Sequence, residues 1–137
     1  MMSQAISPRW YVDTSAALKL LIEETESPAL TAELAAAKPA LASARLLETE
    51  LRRAAHRIPE LQQDRVTALL ELIDIYEMPA SLFRQAGLIA GPNLRSLDAL
   101  HLTAAIAVDA EAIATYDTRL SEAAATVGLA VIAPGAR

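Results

Sequence analysis

Cysteine is absent from the 137 residues. That excludes a disulfide framework and thiolate metal sites, and it fits a reducing compartment. Aromatic side chains make up only 4%, too few for a platform on which nucleic-acid bases stack. The opening MMSQAISPRW has no positive segment followed by an apolar core, so no secretory signal is expected. No uncharged apolar run approaches the ~18 residues needed to span a bilayer. The expectation is a soluble cytoplasmic protein that does not engage a membrane. Basic character is also missing. A net charge of −5 argues against a general nucleic-acid binder, whose affinity comes from neutralising phosphates. Any nucleic-acid role must rest on local charge and a defined site. There is no G-x-S-x-G elbow, no P-loop and no G-x-G-x-x-G, which removes three common nucleophile and phosphate-binding devices.

What is present is a globular composition, 53% hydrophobic and 21% charged. A chain of this length reads as one domain, 1–137, burying roughly two-thirds of its unfolded surface. Strand-like and helix-like runs alternate. Residues 9–12 predict a strand, followed by a helix over TSAALKLLIEE. Ser27-Pro28 predicts the next helix start, with Ser27 as its cap, and Lys38-Pro39 its end. ALAS predicts a short strand, 44–57 a helix, and Pro59 to Leu72 another. IDIYEM reads as strand and Pro79–Ala90 as helix, with the loop AGPNLR after it. A helix over 97–108, a strand over 112–116, a helix over 118–126 and a final strand LAVIAP complete the chain. Strands separated by helices pair in parallel, so the expected fold is a three-layer α/β/α sandwich around a small, mostly parallel sheet.

Two of these strands end on aspartate. WYVDTSAALKL places Asp13, and AIATYDTRL places Asp117, where a strand gives way to a helix. Each suits an N-cap. Both also fall at the carboxyl edge of a parallel sheet, where such folds bind ligands. In SARLLETELRRAAHRI, Leu46, Leu47, Leu51, Ala54 and Ile58 recur at helical spacing and mark the core-facing stripe. Glu50 falls inside that stripe and needs a hydrogen bond, a cation or a proton there; a buried arginine pair is the plain alternative. Glu48 lies on the other side, beside Arg45 and Arg52, as a solvated ion pair. In LRSLDALHLTAAIAVD, Asp98 occupies the first helical turn, where the macrodipole favours an anion. Ser96 is available as the cap. His101, one turn on, reads as a polar residue packed behind the site, and His56 as surface.

If Asp13, Glu50, Asp98 and Asp117 converge, they cannot all stay charged unaided. Two carboxylates ~5 Å apart repel by about 3 kcal/mol at an effective dielectric near 20. Either some protonate or a divalent cation binds, and all-oxygen ligands favour Mg²⁺ or Mn²⁺. Such an ion activates water and steadies charge on a phosphoryl group, which is phosphodiester hydrolysis chemistry. An aspartyl phosphotransferase also opens on a strand-end aspartate, but with a second aspartate two residues on, where Ser15 stands here.

The motifs YVDTSA, ELRRA, LRSLDALHL and TYDTRL, with GLAV following, resemble those of PIN-domain proteins. More closely they resemble the VapC toxins of bacterial VapBC toxin–antitoxin modules. The resemblance runs from about Trp10 to Pro134 in family order and spacing. It implies that the family's acidic quartet, catalytic and metal-binding, falls on Asp13, Glu50, Asp98 and Asp117. Thr115 takes the place of the family's threonine two before the last acid, and Thr14 or Ser15 that of the hydroxyl after the first. It further implies a Mg²⁺- or Mn²⁺-dependent endoribonuclease that cuts transfer or ribosomal RNA and inhibits translation. A homodimer is implied, as is a cognate VapB-type antitoxin whose C-terminal segment enters the active-site groove with an arginine. RNA would be held by local arginines, drawn from Arg45, Arg52, Arg53 and Arg57 on one helix and Arg9, Arg95 and Arg119 near strand ends. A solvated helix face is the simpler account of most of these. Two alternatives stay open: a non-catalytic PIN-like RNA-binding or scaffolding module, whose usual mark is a missing acid, and a nuclease acting on DNA ends or flaps, which usually carries long insertions.

Overall fold

The computed structural model describes residues 7–136, so most of the N-terminal stretch read above for a secretory signal lies outside the described residues. The elements run β1 (Arg9–Val12), α1 (Thr14–Leu21), α2 (Ser27–Ala37), β2 (Ala40–Ala44), α3 (Leu46–Arg57), α4 (Gln63–Leu70), β3 (Asp74–Tyr76), α5 (Ala80–Leu88), α6 (Ser96–Ala107), β4 (Ala112–Ala114), α7 (Thr118–Thr126) and β5 (Ala130–Ile132). The strands form one sheet in the order β3-β2-β1-β4-β5, and every pairing is parallel. The chain builds outward from β1 to β3, then crosses back to lay β4 on the other side of β1. The strand order therefore reverses between β1 and β4, the point at which open α/β sheets form a crevice at their carboxyl ends.

Alternation along the central strands separates two cores. Val12 and Ala114 pack with Ala16, Leu47, Leu51 and Val66 beneath α1–α4. Their neighbours Tyr11 and Ile113 pack on the opposite face with Leu102, Ala105, Leu120 and Ala124 of α6 and α7. Successive side chains of a strand point to opposite faces, so both faces are covered and the three-layer sandwich follows. In α3 the buried residues are Leu47, Leu51 and Ala54, the centre of the stripe expected from spacing, while its ends, Leu46 and Ile58, are partly buried.

Three local expectations change. The helix predicted from Pro59 begins at Gln63, because Pro59 forces Ile58 out of helical geometry (φ −108°, ψ 107°). A turn follows, pinned by the Leu61 N–H to the Ile58 carbonyl at 3.0 Å. Ser27 does not cap α2. Its hydroxyl donates to the Ile22 carbonyl at 3.0 Å and accepts from the Glu24 N–H at 2.9 Å, tying the α1–α2 turn instead. Ser96 lies within α6, whose N-cap is Arg95.

Candidate active site

Parallel pairing sets Val12 opposite Ala114, so the chain leaves β1 and β4 side by side. Asp13 and Asp117 follow within three residues, and each is the N-cap of the next helix. Asp13 accepts from the Ala16 N–H at 2.9 Å; Asp117 accepts from the Arg119 and Leu120 N–H groups at 2.9 and 3.2 Å. Capping and convergence are thus one arrangement, since the same strand ends that start helices deliver both acids to the crevice. Asp98 also bonds its helix start, its carboxylate at the third position of α6 reaching back to accept from the N–H of the cap residue Arg95 at 3.3 Å. Glu50 arrives from α3. All four carboxylates line one pocket of about 600 Å³ together with Thr14, Ser15, Arg95, His101 and Arg119.

Asp13 is 4% exposed and forms the floor. Oδ1 accepts from Ser15 Oγ at 2.8 Å and from the Ala16 N–H; Oδ2 accepts from Thr115 Oγ1 at 2.5 Å and from Ser15 Oγ at 3.0 Å. Those bonds use about all the acceptor positions a carboxylate has. Thr115 also accepts from the Asp117 N–H at 3.1 Å, and Ser15 from the Tyr116 N–H at 2.8 Å. Two hydroxyls thereby stitch the ends of β1 and β4 together. Burial pushes the Asp13 carboxyl up, against the lowering pull of Thr115, the Ala16 N–H, the His101 charge and Ser15.

Glu50 accepts from Thr14 Oγ1 at 2.6 Å and from His101 Nε2 at 2.6 Å, both on Oε1. Its side chain is 21% exposed. Burial pushes it up, but the His101 hydrogen bond, the ring's charge when protonated and the Thr14 hydroxyl together hold it below the usual carboxylate range. Its partner is therefore an imidazole and not an arginine. His101 also meets the Tyr11 hydroxyl through Nδ1 at 2.8 Å. The residue read as backing for the site is in direct contact with it. Its position on the face of Asp98, one turn away, was the available signal; Tyr11, inside a hydrophobic strand, offered none.

The donor set suits a hard cation: four carboxylates and no sulfur. Among the described residues, Glu50 Oε2, Asp98 Oδ1 and Asp117 Oδ2 make no hydrogen bond, so each of these acids keeps one oxygen for a ligand. The four share a pocket without meeting at a point, and among the described residues no three Asp, Glu or His side chains form a ready-made ligand cluster. Closure on an ion would fall to rotation of Asp98 and Asp117, which are partly exposed.

The arginines divide sharply. Arg45 pairs with Glu48 at 3.0 Å and Glu77 at 2.6 Å, and Arg52 with Glu48 at 3.0 Å, which makes Glu48 the surface ion pair expected. Arg9 opens β1 at the amino edge of the sheet and donates to the Val108 carbonyl at 2.6 Å, away from the crevice. Arg95 and Arg119 line the acidic pocket and form no ion pair among the described residues.

A model of the PIN domain matches residues 10–126. Ribonuclease VapC35 of Mycobacterium tuberculosis is 38% identical over 130 residues, covering 91% of this chain and 96% of the relative. Among solved structures, the fold is similar to that of a toxin–antitoxin complex from Klebsiella pneumoniae, at TM-score 0.71 and 18% identity over 93% of this chain and 98% of that one. It is also similar to M. tuberculosis VapC20, described as a sarcin–ricin loop cleaving toxin, at TM-score 0.67 and 18% identity over 83% and 94% of the two chains.

Proposed function

The chain belongs to the PIN-domain family, with VapC ribonucleases as its sequence relatives, and from that premise we propose that it is the toxin of a type II toxin–antitoxin module. Its activity is the hydrolysis of phosphodiester bonds in RNA, and its substrate is a structured RNA of the translation apparatus, tRNA or rRNA. The observation that carries this reading is the convergence of Asp13, Glu50, Asp98 and Asp117 on one pocket at the strand-order reversal. No acid of the quartet is missing, so nothing favours a non-catalytic module.

Glu50, Asp98 and Asp117 would hold a divalent cation, Mg²⁺ or Mn²⁺, through their unengaged oxygens, with the hydrogen-bonded carboxyl of Asp13 completing the set from beneath. Bound there, the ion supplies an activated water and neutralises charge on the phosphoryl oxygens. The chain's own residues do the rest. Thr115 and Ser15 keep Asp13 in one rotamer, and Thr14 and His101 keep Glu50 in one. Arg95 and Arg119, at the rim and without an ion pair among the described residues, take the phosphates on either side of the scissile bond, which is how an acidic protein holds a polyanion.

A single domain spans 1–137, acting as a homodimer in the cytoplasm and inhibited by a VapB-type antitoxin whose arginine enters the acidic pocket. Among the described residues no helix is long and apolar enough to cross a membrane. The test is cleavage of total bacterial RNA by antitoxin-free protein with Mg²⁺, Mn²⁺ or EDTA, alongside Asp98→Asn. Discrete fragments that require both the metal and Asp98 are expected. An Asp98→Asn protein that cuts as fast as the wild type would sink the assignment.

A further inference from the structure

His101 links three elements through its ring. It is 4% exposed and sits on α6, and both ring nitrogens are satisfied, as burial requires, by residues of two other elements, one of which is an acid of the pocket: Tyr11 of β1 and Glu50 of α3. We infer that His101 is a positioning residue for metal binding: its Nε2–H fixes the Glu50 carboxylate so that Oε2 faces the pocket, and Tyr11 fixes the ring. The inference rests on the metal-nuclease reading of the pocket.

The geometry is specific in three respects. His101 and Thr14 approach the same oxygen, Oε1, each at 2.6 Å. Two donors on one oxygen stop the carboxylate from rotating and leave the other oxygen unengaged. The ring itself is held at both ends, since the Tyr11 hydroxyl meets Nδ1 at 2.8 Å and the two rings stand edge to face at 70°. Finally, His101 lies one helical turn beyond Asp98, so α6 carries one acid of the site and the group that aims another. A rigid element bearing both holds their separation constant. Hydrogen-bond partners behind metal ligands tune affinity strongly, and their loss typically weakens binding about 10- to 100-fold.

The experiment uses the full chain, free of any co-purifying protein, and MnCl₂ as the probe. Binding is read by titration calorimetry and by electron paramagnetic resonance of free Mn²⁺, and folding by thermal melts in EDTA. His101→Leu is expected to bind Mn²⁺ about 10- to 100-fold more weakly, with RNA cleavage recovering as MnCl₂ is raised. His101→Gln, whose amide can still donate to Glu50, is expected to regain most of that affinity. Tyr11→Phe should lose a smaller part of it. If His101→Leu does not fold, His101→Gln and Tyr11→Phe carry the test, the first near wild-type affinity and the second below it. A folded His101→Leu that binds Mn²⁺ as the wild type does overturns the inference, as does a His101→Gln no better than the leucine variant. Wild-type protein that neither binds Mn²⁺ nor cuts RNA fails the nuclease reading itself; wild-type binding with an unaffected His101→Leu fails only this inference.

Discussion

The floor and the rim of the acidic pocket are built differently. On the floor, Asp13 is a helix cap like the rim acids, but it and Glu50 are held in addition by hydroxyls and an imidazole that come from distant parts of the chain. At the rim, among the described residues, Asp98 and Asp117 are held by backbone N–H groups of their own helix starts alone, beside two arginines that form no ion pair there. The floor is therefore fixed by tertiary contacts added to local ones, and the rim by local structure. A nuclease needs both, because preorganised charge favours the transition state while substrate must still enter and leave.

The largest expected effect breaks the rim's chemistry and spares its structure. Asp98→Asn keeps a capping side chain, so its melting curve should shift by less than ~1 kcal/mol while RNA cleavage falls about a hundred-fold or more. Fragment analysis beside thermal denaturation checks both halves of that statement.

Cutting the stitch beneath gives the opposite profile. Thr115→Val removes the hydroxyl that donates to Asp13 and accepts from the Asp117 N–H, and leaves buried polar atoms short of partners. A loss of about 1–3 kcal/mol in urea denaturation is expected, with activity falling because the floor shifts.

The two floor acids also titrate with opposite consequences, which a stability–pH profile in EDTA can resolve. Asp13 is raised in the folded state, so the folded protein binds the extra proton. Its contribution to stability is present below the unfolded carboxylate range, ~3.9, and is lost as pH rises through the raised folded value. Glu50 is lowered, so its contribution is present above ~4.3 and is lost as pH falls through the depressed folded value. Asp13→Asn should flatten the decline on the rising side, and Glu50→Gln the decline on the acid side. Identical profiles for the two variants would erase the distinction between them.

Smaller effects belong to the cations. Arg119→Ala at the rim is expected to raise KM for RNA and reduce the salt dependence of binding by about one unit of log–log slope, with kcat changed less. Arg45→Ala, in an exposed ion pair with Glu48 and Glu77, should leave the thermal melt almost where it was, because solvent screens such pairs, and leave cleavage unchanged.

This division also explains what was legible from residues alone. Element order and the parallel α/β class follow from hydrophobic spacing, and strand ends on aspartate are visible in WYVDT and TYDT. The α3 stripe singled out Glu50 because Leu47, Leu51 and Ala54 on either side of it are core. Where reading failed, the reason was a competing contact. Pro59 delayed α4 by dictating the geometry of Ile58. Ser27 and Ser96 suited caps by residue type, but Ser27 found partners in the turn and α6 already begins at Ser96, with Arg95 as its cap. The bonds of the floor were invisible because Tyr11, His101 and Glu50 meet only after three elements have packed.

The pairing of β1 with β4 has a consequence for how the protein is made. Thr115 and Asp13 stand 102 residues apart in the chain and meet only across that pairing. The stitch cannot close until every residue from Asp13 to Asp117 has been synthesised and β4 has paired with β1. The strand order that shapes the pocket therefore also sets when the pocket can first exist: a nascent chain that has emerged only as far as α6 carries three of the acids and no crevice to hold them.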